Sequence, residues 1–577
     1  IPVPMTKKSG AAFFSEYAEK HPDKIGEVFD KIRHLGEKYS TEIGSTVGVD
    51  DVMPMIKERD ALLRKYSAQL RAAGDDPKAK IKLLQKMQQE SVTTAMNHSG
   101  ALSDMVKSGA KGKDMQLANI VVSPIIAYDP DNPLATAELT PSSYSEGLSV
   151  RDFWLQNAKT RKDLVSTALN VAVPGALGKL MTYNVMREVI SMRDCGTDNG
   201  IKIMWNSPDI KGRVLQESIG ALKKGTVITS TNMNKLPSRE ILVRSPLRCE
   251  APEGICQLCF GTDSQWKFYD IGTHVGTRAA QSVTEPLSQK ALDSKHGGRD
   301  ITRDVGKGGL EALQNLFSSD SGKPGVATLA EEAGTVTAIE EKKGAFFRIF
   351  TDTGKIYKVH PQSIILVTKG SKLVKGDKIT DGIVPYTEMT RLKGTNAGRR
   401  SLTSSLIELL GPNGGGIHSR LPETIAKGAV NFVEVLSAFG TYLPGDNISY
   451  NKVIDLGNKM GIPYHIDEVA EGQTLAEEVL DLSAGMPLEA EDLAAIKAAG
   501  IKKIKMFPVG VRLKPVVKSF YTSGMLEDDF VANLAQKYIK KTLSTAAAEG
   551  KTSPVSSTSP INKWLRGAPF SQSGAKY

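Results

Sequence analysis

At 577 residues the chain is too long for one hydrophobic core and by size divides into roughly three to five units. Its hydrophobic fraction of 40% and charged fraction of 24% are ordinary for globular protein. No run approaches the ~20 apolar residues of a membrane span, and no basic start followed by an apolar stretch marks a secretory signal, so the composition reads as cytoplasmic. A net charge of +10 favours an anionic partner, nucleic acid before membrane, because no long basic amphipathic helix is evident. The first residue is Ile1, which suits a proteolytic product or an internal starting position.

Between 11 and 40, Phe14, Tyr17, Ile25, Val28, Phe29, Ile32 and Leu35 recur at spacings of three and four, predicting helix on either side of a break at Pro22. Asp50 and Asp51 open a new segment. The charged, helix-forming stretch 55–97 is interrupted by GDDP at 74–77 and reads as two long exposed antiparallel helices, either a partner surface or a solvated pair. SGAKG at 108–112 is a glycine-bearing basic loop. Residues 148–181 meet few breakers until Pro174 and Gly175, and carry Arg151, Lys159, Arg161, Lys162 and Lys179 among Leu, Val, Phe and Trp. That pattern suits a basic helix lying along nucleic acid, or a core helix with solvated charges. Pro174 removes a helix hydrogen bond at a cost of about 3 kcal/mol, so a hinge or an end is expected there.

The chain has four cysteines, and Cys249, Cys256 and Cys259 share one stretch, RSPLRCEAPEGICQLC. A Cys-x2-Cys pair puts two thiolates on one side of a tight turn, and zinc takes four such ligands at about 2.3 Å. Cys195, in the polar turn RDCGTDNG, can be delivered by a loop as the fourth. The pattern reads as one structural Zn2+ site with no open position for water. Four unrelated reduced thiols are the alternative in a cytosolic chain.

TEPLSQKALDSKHGG at 284–298 predicts a short helix, with Thr284 as its cap, Pro286 in its first turn, and Gly297 and Gly298 at its end. About a dozen residues are marginal as an isolated helix, because nucleation is costly, so the segment can fold when a ligand docks and melt when it leaves. Gln289, Lys290, Asp293, Lys295 and His296 suit contact with a phosphorylated ligand, although an ordinary capped surface helix has the same pattern. After Phe317, residues 326–384 alternate apolar and polar with turns at EKKGA, DTGK and KGDK, which predicts a small β domain. Helices resume around Arg399 and Val430. Residues 467–492 hold nine carboxylates and no Lys or Arg, an acidic patch on a basic chain. GQTLAEEV from Gly472 echoes GRVLQESI from Gly212, and both lead into a strand-like run ending before a Pro, as two related units or by chance. Residues 552–560, rich in Ser, Thr and Pro, read as a loop.

Taken together these segments resemble the carboxy-terminal part of the largest (β′) subunit of bacterial-type multisubunit RNA polymerase. FDKIRHLGEKYSTEIGSTVGVDD resembles the stretch ahead of that family's secondary-channel rim, and the helical pair after it falls where the rim helices lie. SGAKGKDMQ resembles the loop that supports the bridge helix. SEGLSVRDFWLQNAKTRKDLVSTALNVAVPGALGKLM resembles the bridge helix, with Arg161, Lys162, Thr167, Ala168 and Leu169 at matching places. DCGTDNGI and RSPLRCEAPEGICQLCFG are similar to the two halves of the family's four-cysteine zinc site, and HVGTRAAQSVTEPLSQKALDSKHGG resembles the trigger loop. GGLEALQNLF, GSKLVKGDKITDG, YLPGDNISYNKV and KTLSTAAAEGK follow in family order. The chain departs from the family at Thr284, where the family has glycine, at Pro174, and in the trigger loop, where the family's methionine, arginine and histidine fall on Leu292, Asp293 and His296. The carboxylate triplet that holds the family's catalytic magnesium is absent from the sequence.

The resemblance implies an α+β multidomain fold with a long bridge helix, helical hairpins, a four-cysteine zinc module and small β-rich barrel-like or sandwich-like modules. The implied divisions are 1–107 (rim hairpin), 108–194 (supporting loop and bridge helix), 195–270 (zinc module) and 271–317 (trigger loop). They continue with 318–390 (β domain), 391–460 (mixed α/β), 461–515 (acidic module) and 516–577 (helical segment and tail). It also implies DNA-directed nucleotidyl transfer, inactive in the chain alone. Gln289, Leu292, Asp293 and His296 would stand at the nucleotide, and Arg161, Lys162, Thr167, Ala168 and Lys179 at nucleic acid. Cys195, Cys249, Cys256 and Cys259 would hold structural Zn2+, with catalytic Mg2+ on a partner chain. The implied partners are an amino-terminal β′-like chain, β-like chains, template DNA, transcript RNA and nucleoside triphosphates, without a membrane. The small size points to a split subunit of giant-bacteriophage type, in the host cytoplasm during infection or packaged in the virion. The competing reading is a non-enzymatic, zinc-stabilised nucleic-acid-binding or virion structural protein derived from a polymerase.

Overall fold

The computed structural model describes residues 5–520 apart from 45, 75, 128–136, 170–171, 294–308, 319–321, 324, 343–345, 362 and 412–415. The described residues are α+β and fall into two compact units, essentially 5–169 and 172–520. No helix among them is long and apolar enough to cross a membrane.

In the first unit, helices Lys7–Lys20 and Ile25–Ile43 flank the expected break at Pro22. Helices Ile56–Ala73 and Pro77–Ala95 form the expected hairpin, but they are not merely exposed. Leu62, Tyr66, Ile81, Leu84 and Met87 are buried, and pack with Ile125, Ile126 and Ala137 beside the strands Ile125–Ala127 and Glu138–Thr140. The charged residues hide an apolar seam recurring at three and four, and burying that seam stabilises the pair more than its surface ion pairs do. Helices Ala101–Ser108, Asp114–Val121 and Val150–Leu169 complete the unit.

Within the segment 148–181 expected as one long helix, Val150–Leu169 and Ala172–Val185 are helical, and residues 170–171 lie outside the described residues. Pro174 lies within the helical stretch Ala172–Val185, which runs on past it to Val185 rather than ending there.

The second unit is centred on four helices, Ala172–Val185, Val275–Asp293, Thr395–Leu410 and Arg420–Ala429. Their apolar stripes meet in one core that includes Met181, Val185, Val283, Leu287, Leu406 and Ile425, closed by Phe317, Tyr386 and Phe520. The helix expected to resume near Val430 in fact ends there, and strand Phe432–Val435 begins. The expected β domain is a four-stranded antiparallel sheet in the order Lys372–Leu373, Gly334–Lys342, Phe346–Thr351, Ile356–Val359. Along Ile356–Val359 exposed and buried residues alternate, as a strand with one covered face requires. The other sheets among the described residues have two or three strands.

The echo between Gly212 and Gly472 is structural. Leu215 N–H bonds to the Thr226 carbonyl at 2.9 Å and Gly225 N–H to the Leu215 carbonyl at 2.9 Å; Leu475, Met486 and Gly485 repeat these bonds at 2.9 and 2.7 Å. Val435, Asp446 and Gly445 make the same pair at 2.8 Å each, a shorter third copy. Gly225, Gly485 and Gly445 all have φ between 83° and 95°, a region that favours glycine.

Candidate functional site

The short strands Ile190–Met192 and Ile255–Cys256 pair in parallel and bring the loop after Met192 beside the cysteine-rich stretch. Ser245 caps a turn at Pro246–Arg248 by accepting from Leu247 N–H at 3.1 Å, which sets the approach to Cys249. Cys256 caps the four-residue helix Gln257–Phe260, its sulfur accepting from Cys259 N–H at 3.4 Å. Gly254 is a close approach: at φ 57° a Cβ there would lie 2.2 Å from the Val189 carbonyl oxygen.

This folding brings the sulfurs of Cys195, Cys249, Cys256 and Cys259 within 4.8 Å of one another, the last three buried. Cys195 and Cys259 Sγ are 3.7 Å apart. A tetrahedral site with bonds of about 2.3 Å has sulfur–sulfur edges of about 3.8 Å, so the arrangement fits zinc. Hydrogen bonds from the three neighbouring thiols hold Cys195 well below the usual thiol range, while burial pushes Cys249 and Cys259 above it.

Sequence reasoning missed Arg244. Its guanidinium, 4% exposed, donates from Nε to Cys259 Sγ at 3.2 Å and from Nη2 to Cys195 Sγ at 3.3 Å, and Nη2 also reaches Cys256 Sγ at 3.7 Å and Asp194 at 2.6 Å. Burial opposes its charge, but the sulfurs of Cys259, Cys195 and Cys256 outweigh burial and hold it above the usual guanidinium range. Four thiolates around a divalent ion leave an excess of negative charge, which Arg244 meets at the sulfurs themselves. Its position in the RSPLRC run was the available signal, with nothing to separate it from Arg248.

Arg248 instead pairs with Glu478, whose other oxygen accepts from Tyr450 OH at 2.8 Å. Asn451, on the helix Tyr450–Met460, donates to the carbonyls of Cys249 and Ala251 at 3.1 and 2.5 Å, so that helix holds the cysteine loop. These residues border a cavity of about 350 Å3. The buried pair Arg213–Glu423, bonded at 3.0 and 2.5 Å, ties the module to the Arg420–Ala429 helix.

Helix Val275–Asp293 starts nine residues before the expected cap at Thr284, which is an interior residue, and Pro286 lies inside the helix rather than in its first turn. The earlier start follows from packing. Val275, Ala279, Ala280, Val283 and Leu287 form a buried stripe, and that stripe outweighs the N–H that Pro286 lacks. The helix crosses Ala172–Val185 closely: a Cβ on Gly276 would lie 1.9 Å from the Val185 carbonyl oxygen. Gln289, Leu292 and Asp293 are on its last turns, with only their backbone described. His296 lies outside the described residues.

The nucleic-acid candidates are not one cluster within one unit. Arg161 is exposed on Val150–Leu169, a helix that also carries Lys162, Thr167 and Ala168, whose side chains are outside the described part. Lys179 is exposed on Ala172–Val185.

Comparison with known proteins bears on this arrangement. The chain is 28% identical over 483 residues to the DNA-directed RNA polymerase subunit beta′ of Caldanaerobacter subterraneus subsp. tengcongensis, covering 77% of this chain and 40% of that protein. It is 28% identical over 485 residues to the subunit of Paenarthrobacter aurescens, covering 75% and 37%. It is 26% identical over 518 residues to that of Acidothermus cellulolyticus, covering 82% and 38%. The chain thus spans about two fifths of the length of these relatives. The profile for RNA polymerase Rpb1, domain 5 matches residues 147–441, a span that runs through both crossing helices and all four cysteines. Since that span is more than half of the chain, the protein belongs to the RNA polymerase Rpb1 domain 5 family.

Proposed function

We propose that this chain is the carboxy-terminal β′-like part of a multisubunit DNA-dependent RNA polymerase, bringing a bridge helix, a trigger loop and a zinc-stapled module to nucleotide addition. One observation carries the reading: the family match runs unbroken through the two crossing helices and the four-sulfur cluster. Phosphoryl transfer asks for positioning and charge stabilisation more than for covalent chemistry, and flanking helices can supply the positioning. Magnesium supplies charge stabilisation when bound, and its carboxylates belong to another chain.

On this reading the segment after Val275–Asp293 folds over an incoming nucleoside triphosphate and excludes water, with correct base pairing supplying the docking energy. Leu292 packs on the base, Gln289 lies on the same face, and His296 approaches the triphosphate as a positional or acid catalyst. Asp293 stands where the family has a cation, so phosphate contact there passes to Lys290 or Lys295. Arg161, Lys162 and Lys179 contact nucleic-acid phosphates, and Thr167 and Ala168 run beside the template base. Cys195, Cys249, Cys256 and Cys259 hold a structural Zn2+. The partners are the chain with the magnesium-binding carboxylates, β-like chains, DNA and RNA. The low identity to the bacterial subunits suits a divergent, split polymerase of giant-bacteriophage type, acting in the host cytoplasm during infection or packaged in the virion.

The test is single-nucleotide addition by the gently purified complex. H296A and G297P slow addition at least about tenfold if the imidazole and the fold of its segment take part. Unchanged rates remove the catalytic role. A complex with no addition at all, and no companion chain carrying the missing carboxylates in its mass spectrum, leaves a zinc-stapled nucleic-acid-binding protein.

A further inference from the structure

Gly178 and Thr284 face each other where Ala172–Val185 crosses Val275–Asp293. A Cβ on Gly178 would come 2.6 Å from Thr284 Cγ2 and 3.5 Å from its Cβ, so the threonine methyl fills the space that a side chain at 178 would need. Thr284 has little room to yield. A β-branched residue is restricted at χ1 in a helix, and its hydroxyl points to Met181 Sδ at 3.8 Å. Leu177, Met181, Val283 and Leu287 around it are all buried in the same core. At the other end of the crossing, Gly276 and Gly428 close on the backbone of Val185 and Asn184, with Cβ positions 1.9 and 2.8 Å from their carbonyl oxygens. There the nearest approach is to backbone. Of these three glycines, Gly178 is the one whose nearest neighbour is a side chain of the facing helix.

We propose that Gly178 and Thr284 are a matched small–large pair that positions the trigger helix on the bridge helix, and thereby the base from which the segment carrying Leu292 and His296 folds. Both act as positioning residues, since neither touches reacting atoms. The proposal rests on the reading of that segment as the moving part of a polymerase active site.

The experiment compares G178A, T284G, T284V and the G178A/T284G double variant in the assembled complex, measuring nucleotide addition across substrate concentration. G178A is expected to lower the saturating rate at least about tenfold, since a misplacement near 1 Å can cost about a hundredfold, with a smaller change in the half-saturating concentration. The double variant, with the methyl removed, is expected to recover most of that loss. T284V, which keeps the branched bulk, is expected to be faster than T284G. A G178A complex as fast as the unsubstituted one, or a double variant no faster than G178A, overturns the proposal. Should G178A not assemble, the T284V and T284G rates decide, and equal rates overturn it. An unsubstituted complex that adds no nucleotide sinks the polymerase reading itself, an outcome distinct from any failure of the pair.

Discussion

Arg244 and His418 show how single side chains hold the cysteine module in two ways. Arg244 donates N–H bonds to the sulfurs of Cys259 and Cys195, so replacing it with a neutral chain of similar length leaves the sulfurs' excess charge unmet. R244M is expected to weaken metal retention about 10- to 100-fold, read as zinc affinity in competition with a chromophoric chelator. An unchanged affinity would show that the cluster needs no countercharge. His418 accepts from Arg420 N–H at Nδ1, 3.3 Å away, which puts its proton on Nε2, 3.0 Å from the Lys211 carbonyl. Burial, then the Arg213 and Arg420 guanidiniums, push its pKa down to about 2. The unfolded histidine titrates near its ordinary 6.5, so below that pH the unfolded chain binds a proton that the folded chain refuses. Stability is therefore full above pH 6.5 and falls as the pH drops toward the folded value, by no more than about 2 kcal/mol at pH 5. H418Q keeps a donor for Lys211 and is expected to flatten that fall in urea unfolding between pH 7 and about pH 5.

At the scale of elements, helix crossings depend on where glycines lie more than on propensity. Gly276 meets a backbone oxygen that cannot rotate away, so G276A is expected to cost at least the 1–3 kcal/mol of an overpacked core, visible as a lower melting temperature. Gly175 has nothing within 4 Å of its Cβ position, and G175A is expected to raise stability by up to about 1 kcal/mol through helix propensity. The sequence made the helix on either side of Pro22, the β domain and the turn glycines legible, because each rests on residues a few positions apart. It misplaced the start of Val275–Asp293. Thr284 and Pro286 are good local start signals, and the buried stripe that overrides them becomes visible only once Ala172–Val185 lies alongside. The partners of the acidic stretch were likewise visible only in the fold. Its carboxylates are largely spoken for: Glu478 by Arg248, Asp481 by Arg400, Asp492 and Glu489 by Lys375, and Asp467 by Lys497.

For the whole molecule, the four-cysteine cluster and the C-terminal repeat belong to one compact unit and the helical hairpin at 56–95 to the other. Chelation is therefore expected to raise amide exchange and proteolysis in the cysteine module at 190–270 and in the segments that hold it through Asn451 and Glu478, while 56–95 keeps its protection. Equal loosening of both units would deny the cluster a local structural role. The sequence by itself determined the family and singled out the four cysteines and the echo between Gly212 and Gly472, because sulfur spacing and turn residues are short-range properties that survive at 26–28% identity. Only the tertiary structure decided that Arg244 rather than Arg248 faces the sulfurs, that Arg213 finds Glu423, and that Gly178 opposes Thr284. Each of those contacts joins residues brought together by packing, and packing responds to volume and charge in three dimensions, which the order of residues along the chain does not display.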